Sequence, residues 1–234
     1  MVFLDQLIDF DKSLLLFLNG SDSLFLDGFF LTLTKTSTWI PLFISMLYVV
    51  IKNNNGRRCF ILLGLTALLV VATDQFSSGF CKPFFHRFRP SQDPSLADFI
   101  DMASSYRGSL YGFISGHATN TFAIAVYFSL IFRSSKTSVV LFLWAMLSSY
   151  SRIYLGLHFP GDILAGAVSG TLIALLFYYI YQMLIKKYTL YRCNYSSLFT
   201  SSGYMKKDFL FIHIVFIATF LFLIFAGIFF AFQH

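Results

Sequence analysis

Two histidines, an aspartate and three cations are spaced in this chain as a phosphoryl-transfer centre would need them. His158 is followed four residues later by Asp162, across Phe159-Pro160-Gly161 and near the start of a predicted helix. A carboxylate there can accept one imidazole N–H, which fixes the tautomer and aims the other ring nitrogen outward. It also stabilises the imidazolium character that develops on attack. His117 ends the triplet Ser115-Gly116-His117, which opens another predicted helix. Free N–H groups and the positive end of that helix form an anion cradle, and Gly116 permits close approach. Lys82, Arg89 and Arg152 supply three cations to neutralise a phosphate ester, and arginine can grip two oxygens at once. His158 is therefore expected to be the nucleophile of a phosphohistidine pathway. His117 is expected to protonate the leaving oxygen and then activate water, with Asp162 orienting His158. Lys82, Arg89, Ser115, Gly116 and Arg152 are the expected phosphate ligands. No cluster of carboxylates exists to hold magnesium, so neither a metal nor another cofactor is expected, and the cations take that role. His158 is expected to be exposed, so that its removal would spare the fold.

These residues fall in three clusters far apart in the chain: Lys82 with Arg89-Pro90, Ser115 to His117, and Ser151-Arg152 with His158 and Asp162. Only helices that end in one layer can gather them. Of the 234 residues, 57% are hydrophobic and 12% charged, with mean hydropathy +0.71. Soluble domains carry about 25% charged residues, so lipid is the expected surroundings. The 31 Phe and 13 Tyr fit lipid-facing helices with aromatic ends. Apolar runs at 58–80, 113–133, 137–155, 162–185 and 209–232 are long enough to span. A sixth lies within 24–51, interrupted by Asp27, Lys35 and Pro41. Residues 3–19 alternate charges with Leu and Phe at helical spacing, as an interfacial amphipathic helix does. The expected fold is all-α: six transmembrane helices and this surface helix in one membrane domain covering 1–234. Asp5, Asp9 and Asp11 stand where a signal peptide would be basic, so targeting is expected from the first helices.

Basic residues crowd alternate loops: Lys52, Arg57 and Arg58; Arg133 and Lys136; Lys186, Lys187, Arg192, Lys206 and Lys207. The positive-inside rule makes these cytoplasmic. Loops 81–112 and 156–161, and with them the site, then face outward from a plasma (inner) membrane. The excess of 17 Lys and Arg is spread over short loops rather than one face, which argues against nucleic acid as a partner. All eleven acidic residues are Asp. Cys59, Cys81 and Cys193 are scattered, without metal-ligand spacing or a disulfide framework.

The three clusters together resemble the type 2 phosphatidic acid phosphatase (PAP2) superfamily, whose signature motifs match at Lys82, Arg89 and Pro90; at Ser115, Gly116 and His117; and at Ser151, Arg152, His158 and Asp162. The family usually has Pro before Ser-Gly-His, where this chain has Ile114. The resemblance implies a haloperoxidase-like helical core and the residue roles given above. It permits phosphatidic acid, phosphatidylglycerol phosphate, polyprenyl (undecaprenyl) diphosphate or lipid A as substrate. A chain with so little extramembrane mass points first to polyprenyl diphosphate or phosphatidylglycerol phosphate, then to lipid A. Three other functions compete with hydrolysis. A phosphotransferase would pass the phosphoryl group to a lipid or sugar hydroxyl. Vanadate-dependent oxidation fits membrane burial poorly, and a lipid-binding protein would need a vestigial pocket, whereas every catalytic position is intact.

Several other residues have a plainer reading. His213 is expected to be a satisfied polar residue, and Trp39 an interfacial anchor. Gly166 and Gly170, four apart, are expected to form a packing seam. Asp74 is expected to pair with a basic residue of the site. For His86, Arg87 and Arg107, substrate contact and loop solvation are equally open.

Overall fold

The computed structural model describes residues 2–186 and 197–233. Lys187, Arg192 and Cys193, named above for orientation and thiol chemistry, lie outside the described residues. Helices make up the fold, with two isolated bridges, Phe88 to Tyr111 and Phe199 to Met205. The helices are α1 (Val2–Leu18), α2 (Leu24–Leu33), α3 (Ile40–Asn53), α4 (Gly56–Asp74), α5 (Lys82–Phe85), α6 (Gly116–Phe132), α7 (Ser135–Tyr154), α8 (Pro160–Lys186) and α9 (Phe209–Gln233).

The interruptions read in 24–51 become a bend. Lys35 is extended, a single 3-10 turn covers Thr36–Trp39, and Pro41 occupies the first turn of α3, where its missing N–H costs nothing. Helices α2 and α3 meet at 70°. By contrast α4 does not stop near residue 80. It passes through a π-helical stretch, Gln75–Cys81, into α5, so that Gly56–Phe85 is one apolar rod of 30 residues. π-Helical turns recur at functional sites, and this one carries Ser77 and Ser78 toward Lys82.

Gly56–Phe85, Pro160–Ile185 and Lys206–Gln233 are long and apolar enough to cross a membrane, and the bent pair α2–α3 makes a fourth. The expected spans at 113–133 and 137–155 are present as α6 and α7 but do not meet that criterion. Helix α6 has only 17 residues, and α7 is diluted by polar side chains; Thr119 and Thr121 of α6 and Ser148, Ser149 and Ser151 of α7 are buried, while Val139, Leu143 and Met146 of α7 are exposed.

The core runs through α2, α3, α4 and α6 to α9. Small residues set two close approaches. A Cβ on Gly166 would lie 2.8 Å from the Ser115 carbonyl, and one on Gly170 would overlap the Thr119 backbone, so the expected seam joins α8 to α6. Gly28 and Gly227 do the same between α2 and α9, against Phe230 and Phe25. A second, smaller core of Leu15, Leu96, Ile100, Ile153 and Phe159 packs α1 and the 86–115 loop over one end of the bundle. Asn19 stitches this cap by donating to the carbonyls of Asp101, Ile153 and Tyr154. On α1, Phe10 and Phe17 point away from the protein.

Trp39 is a correction. It is 3% exposed, donates its indole N–H to the Leu33 carbonyl at 2.9 Å, and packs on Trp144 and Phe216. The bend turns the ring inward, so it is a core residue and not an interfacial anchor.

Candidate active site

Four helix ends and two loops meet beneath the α1 cap, and they bring all the sequence-selected residues to one end of the bundle. Lys82 comes from the end of the long α4–α5 rod and Arg89 from the loop after it. Ser115, Gly116 and His117 open α6, Arg152 lies in the last turn of α7, His158 in the α7–α8 loop and Asp162 in the first turn of α8. The antiparallel course of these helices produces the layer, because α6 and α8 begin where α5 and α7 end.

His158 is 2% exposed, which corrects the expectation of an exposed ring. Its Nδ1 lies 3.3 Å from Asp162 Oδ2, and its Nε2 lies 3.0 Å from Arg89 Nη1. A guanidinium can only donate, so Nε2 carries the lone pair and Nδ1 carries the proton toward Asp162. The geometry thus selects the tautomer with a free base at Nε2. Burial holds the ring well below its ordinary pKa, with Arg89, Arg152, Lys82 and His117 acting in the same direction. All four are therefore near enough to act on it electrostatically.

Asp162 is fully buried. Its Oδ2 also accepts from the Phe159 N–H at 3.1 Å, and its Oδ1 from Arg87 Nη1 at 2.8 Å. Arg89 donates to the Leu157 carbonyl at 2.9 Å and to Ser109 Oγ at 3.2 Å. Arg152 donates to Thr34 Oγ1 at 2.7 Å. Lys82 donates to Ser78 Oγ at 3.0 Å, and its ammonium lies 4.0 Å from where a Cβ on Gly116 would sit. Gly116 therefore keeps the cradle open toward Lys82. Ser115 is the N-cap of α6: its Oγ accepts from the Ala118 N–H at 3.4 Å, and it is fully buried.

Among the described residues, none of Lys82, Arg89 and Arg152 forms an ion pair. The Nε–H donors of Arg89 and Arg152 are buried without a partner. An unsatisfied buried donor costs about 1–3 kcal/mol, more when charged, so an anion entering this layer would meet donors that the protein leaves unsatisfied.

Below the layer lies a cavity of about 410 Å³. His117 and Thr34 border it at the charged end, and Phe43, Val50, Leu63 and Phe128 line it further down. Its walls come from α2, α3, α4, α6 and α7, so it leads from the site toward the opposite end of the bundle.

Residues left open by the sequence fall into place differently. Arg87 is half-buried and bonded to Asp162, whereas His86 is exposed against Tyr111 and Arg107 is an exposed loop residue. Asp74 is exposed and makes no salt bridge among the described residues, so its expected pairing is not found; only its field reaches Lys82. His213 bonds Thr137 Oγ1 at 3.2 Å, as a satisfied polar residue should. Asp11, Thr34 and Ser109 have no distinguishing sequence signal, since each acts only through partners distant in the chain, whereas Ser78 stands one helical turn before Lys82, a spacing that could have marked it.

Residues 63–186, which include Lys82 to Asp162, match the PAP2 superfamily. The chain is 38% identical to the lipid A 4'-phosphatase of Bacteroides thetaiotaomicron over 178 residues, covering 76% of this chain and 79% of that protein. It is 36% identical to the lipid A 4'-phosphatase of Porphyromonas gingivalis over 76% of this chain and 75% of the relative. Phosphatidylglycerophosphatase B of Bacillus subtilis is 33% identical over 47% of this chain and 54% of its own length. No solved structure matches significantly. With all three signature clusters in one layer and most of the chain aligned to these relatives, this protein belongs to the PAP2 superfamily and is a phosphatase.

Proposed function

We propose that this chain removes a phosphate monoester from lipid A or a related glycolipid at the outer face of the membrane, through a phosphohistidine. One observation carries the reading: three cations without anionic partners surround His158, whose Nδ1–H is committed to Asp162. Nε2 attacks phosphorus, an N–P bond forms, and the bond to the sugar oxygen breaks as His117 delivers a proton to that oxygen. Water then gives a proton to His117 and attacks phosphorus, and the N–P bond breaks to release inorganic phosphate. Arg89 Nη1, which caps Nε2 in the free protein, transfers its N–H to a phosphate oxygen when substrate enters. Together with Lys82, Arg152 and the Ser115-Gly116 cradle it neutralises the charge that develops.

The apolar cavity under His117 supports a lipid substrate, since an acyl chain there leaves the head group in the charged layer. The extent of similarity to lipid A 4'-phosphatases places lipid A ahead of polyprenyl diphosphate and phosphatidylglycerol phosphate, reversing the order drawn from chain size. The membrane arrangement belongs to the same reading: one domain of six spans, with α6 and α7 as inner spans and α1 lying in the interface with Phe10 and Phe17 toward lipid. Lys52, Arg57, Arg58, Arg133 and Lys136 lie at the end of the bundle away from His158, which supports an outward-facing site.

Phosphate release should be measured in detergent from lipid A, phosphatidylglycerol phosphate and a polyprenyl diphosphate, with mass analysis of the products. Lipid A should be the best substrate and should lose its 4'-phosphate without any added acceptor. Release from the diphosphate alone would refute the substrate assignment. Turnover that required an acceptor hydroxyl would make the enzyme a phosphotransferase.

A further inference from the structure

Arg87 sits between two carboxylates. Its Nη1 donates to Asp162 Oδ1 at 2.8 Å and its Nη2 to Asp11 Oδ2 at 2.7 Å, while the guanidinium lies 4.1 Å from the centre of the Phe159 ring. The other oxygen of Asp11 accepts from the Gly161 N–H at 2.7 Å, at the start of α8. A Cβ on Gly161 would lie 2.7 Å from Asp11 Oδ2, so a larger residue would push this carboxylate away. The side chains of Arg87 and Asp11 are 26% and 14% exposed, and Asp162 is wholly buried. Each oxygen of Asp162 is thus assigned: Oδ1 to Arg87, Oδ2 to His158 and to the Phe159 N–H. A carboxylate divided in this way cannot rotate away from the imidazole. Asp11 belongs to α1, outside the residues that match the family.

We propose that Arg87 is a positioning residue for Asp162 and that Asp11 anchors it from α1, so that seating of the N-terminal helix completes the reaction centre. This rests on the phosphatase reading of the site. Asp162 faces Asp11 from α1, Arg87 and Arg89 from the loop after α5, His158 from the α7–α8 loop and, further off, Lys82 from α5. Without Arg87, Oδ1 is buried with no donor and the carboxylate holds a proton more readily. A protonated Asp162 no longer accepts from Nδ1, and His158 loses its fixed tautomer.

The full-length protein in detergent should be compared with Arg87→Gln, Arg87→Lys, Asp11→Asn and the Arg87→Gln/Asp11→Asn double variant. Arg87→Gln should lower kcat about 10–100-fold, as loss of a partner behind a reacting group does, with KM changed less than about threefold. The acid limb of its kcat profile should move up by about one pH unit. Arg87→Lys should recover part of kcat and most of the wild-type profile. The double variant should be no worse than Arg87→Gln alone, since both act through one contact. An unchanged profile in Arg87→Gln, or fully additive losses in the double variant, would overturn the proposal. If the wild-type protein itself released no phosphate, the phosphatase reading would fail instead. The His158 ring-nitrogen shifts, followed against pH in histidine-labelled protein, would then decide: an upward move in Arg87→Gln supports positioning, and none refutes it.

Discussion

Two buried carboxylates stand at opposite ends of the bundle, and their surroundings differ in one decisive respect. Asp208, just before α9, accepts from Lys52 at 2.8 Å and from Asn53 at 3.0 Å, and the Lys52 ammonium also reaches Tyr48. Within this group the Lys52 and Asp208 charges offset one another, and every named group has a partner. At the other end Arg87 is shared between Asp11 and Asp162, and Asp162 also meets His158, while Lys82, Arg89 and Arg152 are left without a counter-ion among the described residues. The first arrangement closes a helix end. The second stores a positive surplus beside an unprotonated imidazole nitrogen, which is unfavourable for stability and, on the proposed function, would help to hold phosphate. Burial of an acidic residue therefore does not mark a site; an excess of unpartnered donors around it does.

Substitution of the reacting pair should separate the two ends most sharply. His158→Ala and Asp162→Asn should each lower kcat by about 10³–10⁴-fold or more, the second through the wrong tautomer. Because His158 is buried, the alanine variant should also melt earlier, so circular dichroism must accompany the assay. Retained turnover in either variant would end the phosphohistidine mechanism.

Arg152→Ala should cost about 10²–10³-fold in kcat/KM, with weaker inhibition by vanadate, which can occupy the place of the transferring phosphoryl group. Equal inhibition of variant and wild type would remove Arg152 from the anion site.

The third test is acidity. An unfolded histidine titrates near 6.5, whereas burial and the neighbouring cations hold His158 well below that value. The free enzyme should therefore keep its base, and kcat/KM should hold to a lower pH than an ordinary histidine allows. The sign for folding follows from linkage. Below about 6.5 the unfolded chain takes up a proton that buried His158 refuses, so stability is fully present above that pH and declines as pH falls. Melting temperature measured against pH should show this decline, and His158→Asn should flatten it.

At the other end, Asp208→Asn should lower the melting temperature yet leave kcat within about twofold, as expected far from the chemistry. A large loss of activity there would mean that the two ends are coupled.

The contrast between the ends also shows where legibility stopped. His117, His158, Asp162, Lys82, Arg89 and Arg152 could be chosen from type and spacing because reactive groups are few in an apolar chain and sat at helix ends. The bend at Lys35 to Pro41 was readable for a similar reason, since backbone breaks are local. Arg87 could not be told from a solvated loop charge, and Asp11 looked like one acid among several on a surface helix. Trp39 looked like an anchor because its burial depends on how α2 meets α3.

Helix periodicity, proline breaks and the identity of scarce reactive residues are properties of neighbouring positions, and the sequence alone determined them: an apolar, all-helical chain whose few reactive side chains stand at one set of helix ends. The partner of each charge was decided only in three dimensions. Asp11 meets Arg87 across 76 residues and Arg89 meets His158 across 69, and pairings over such distances are set by packing of the helices, not by local spacing.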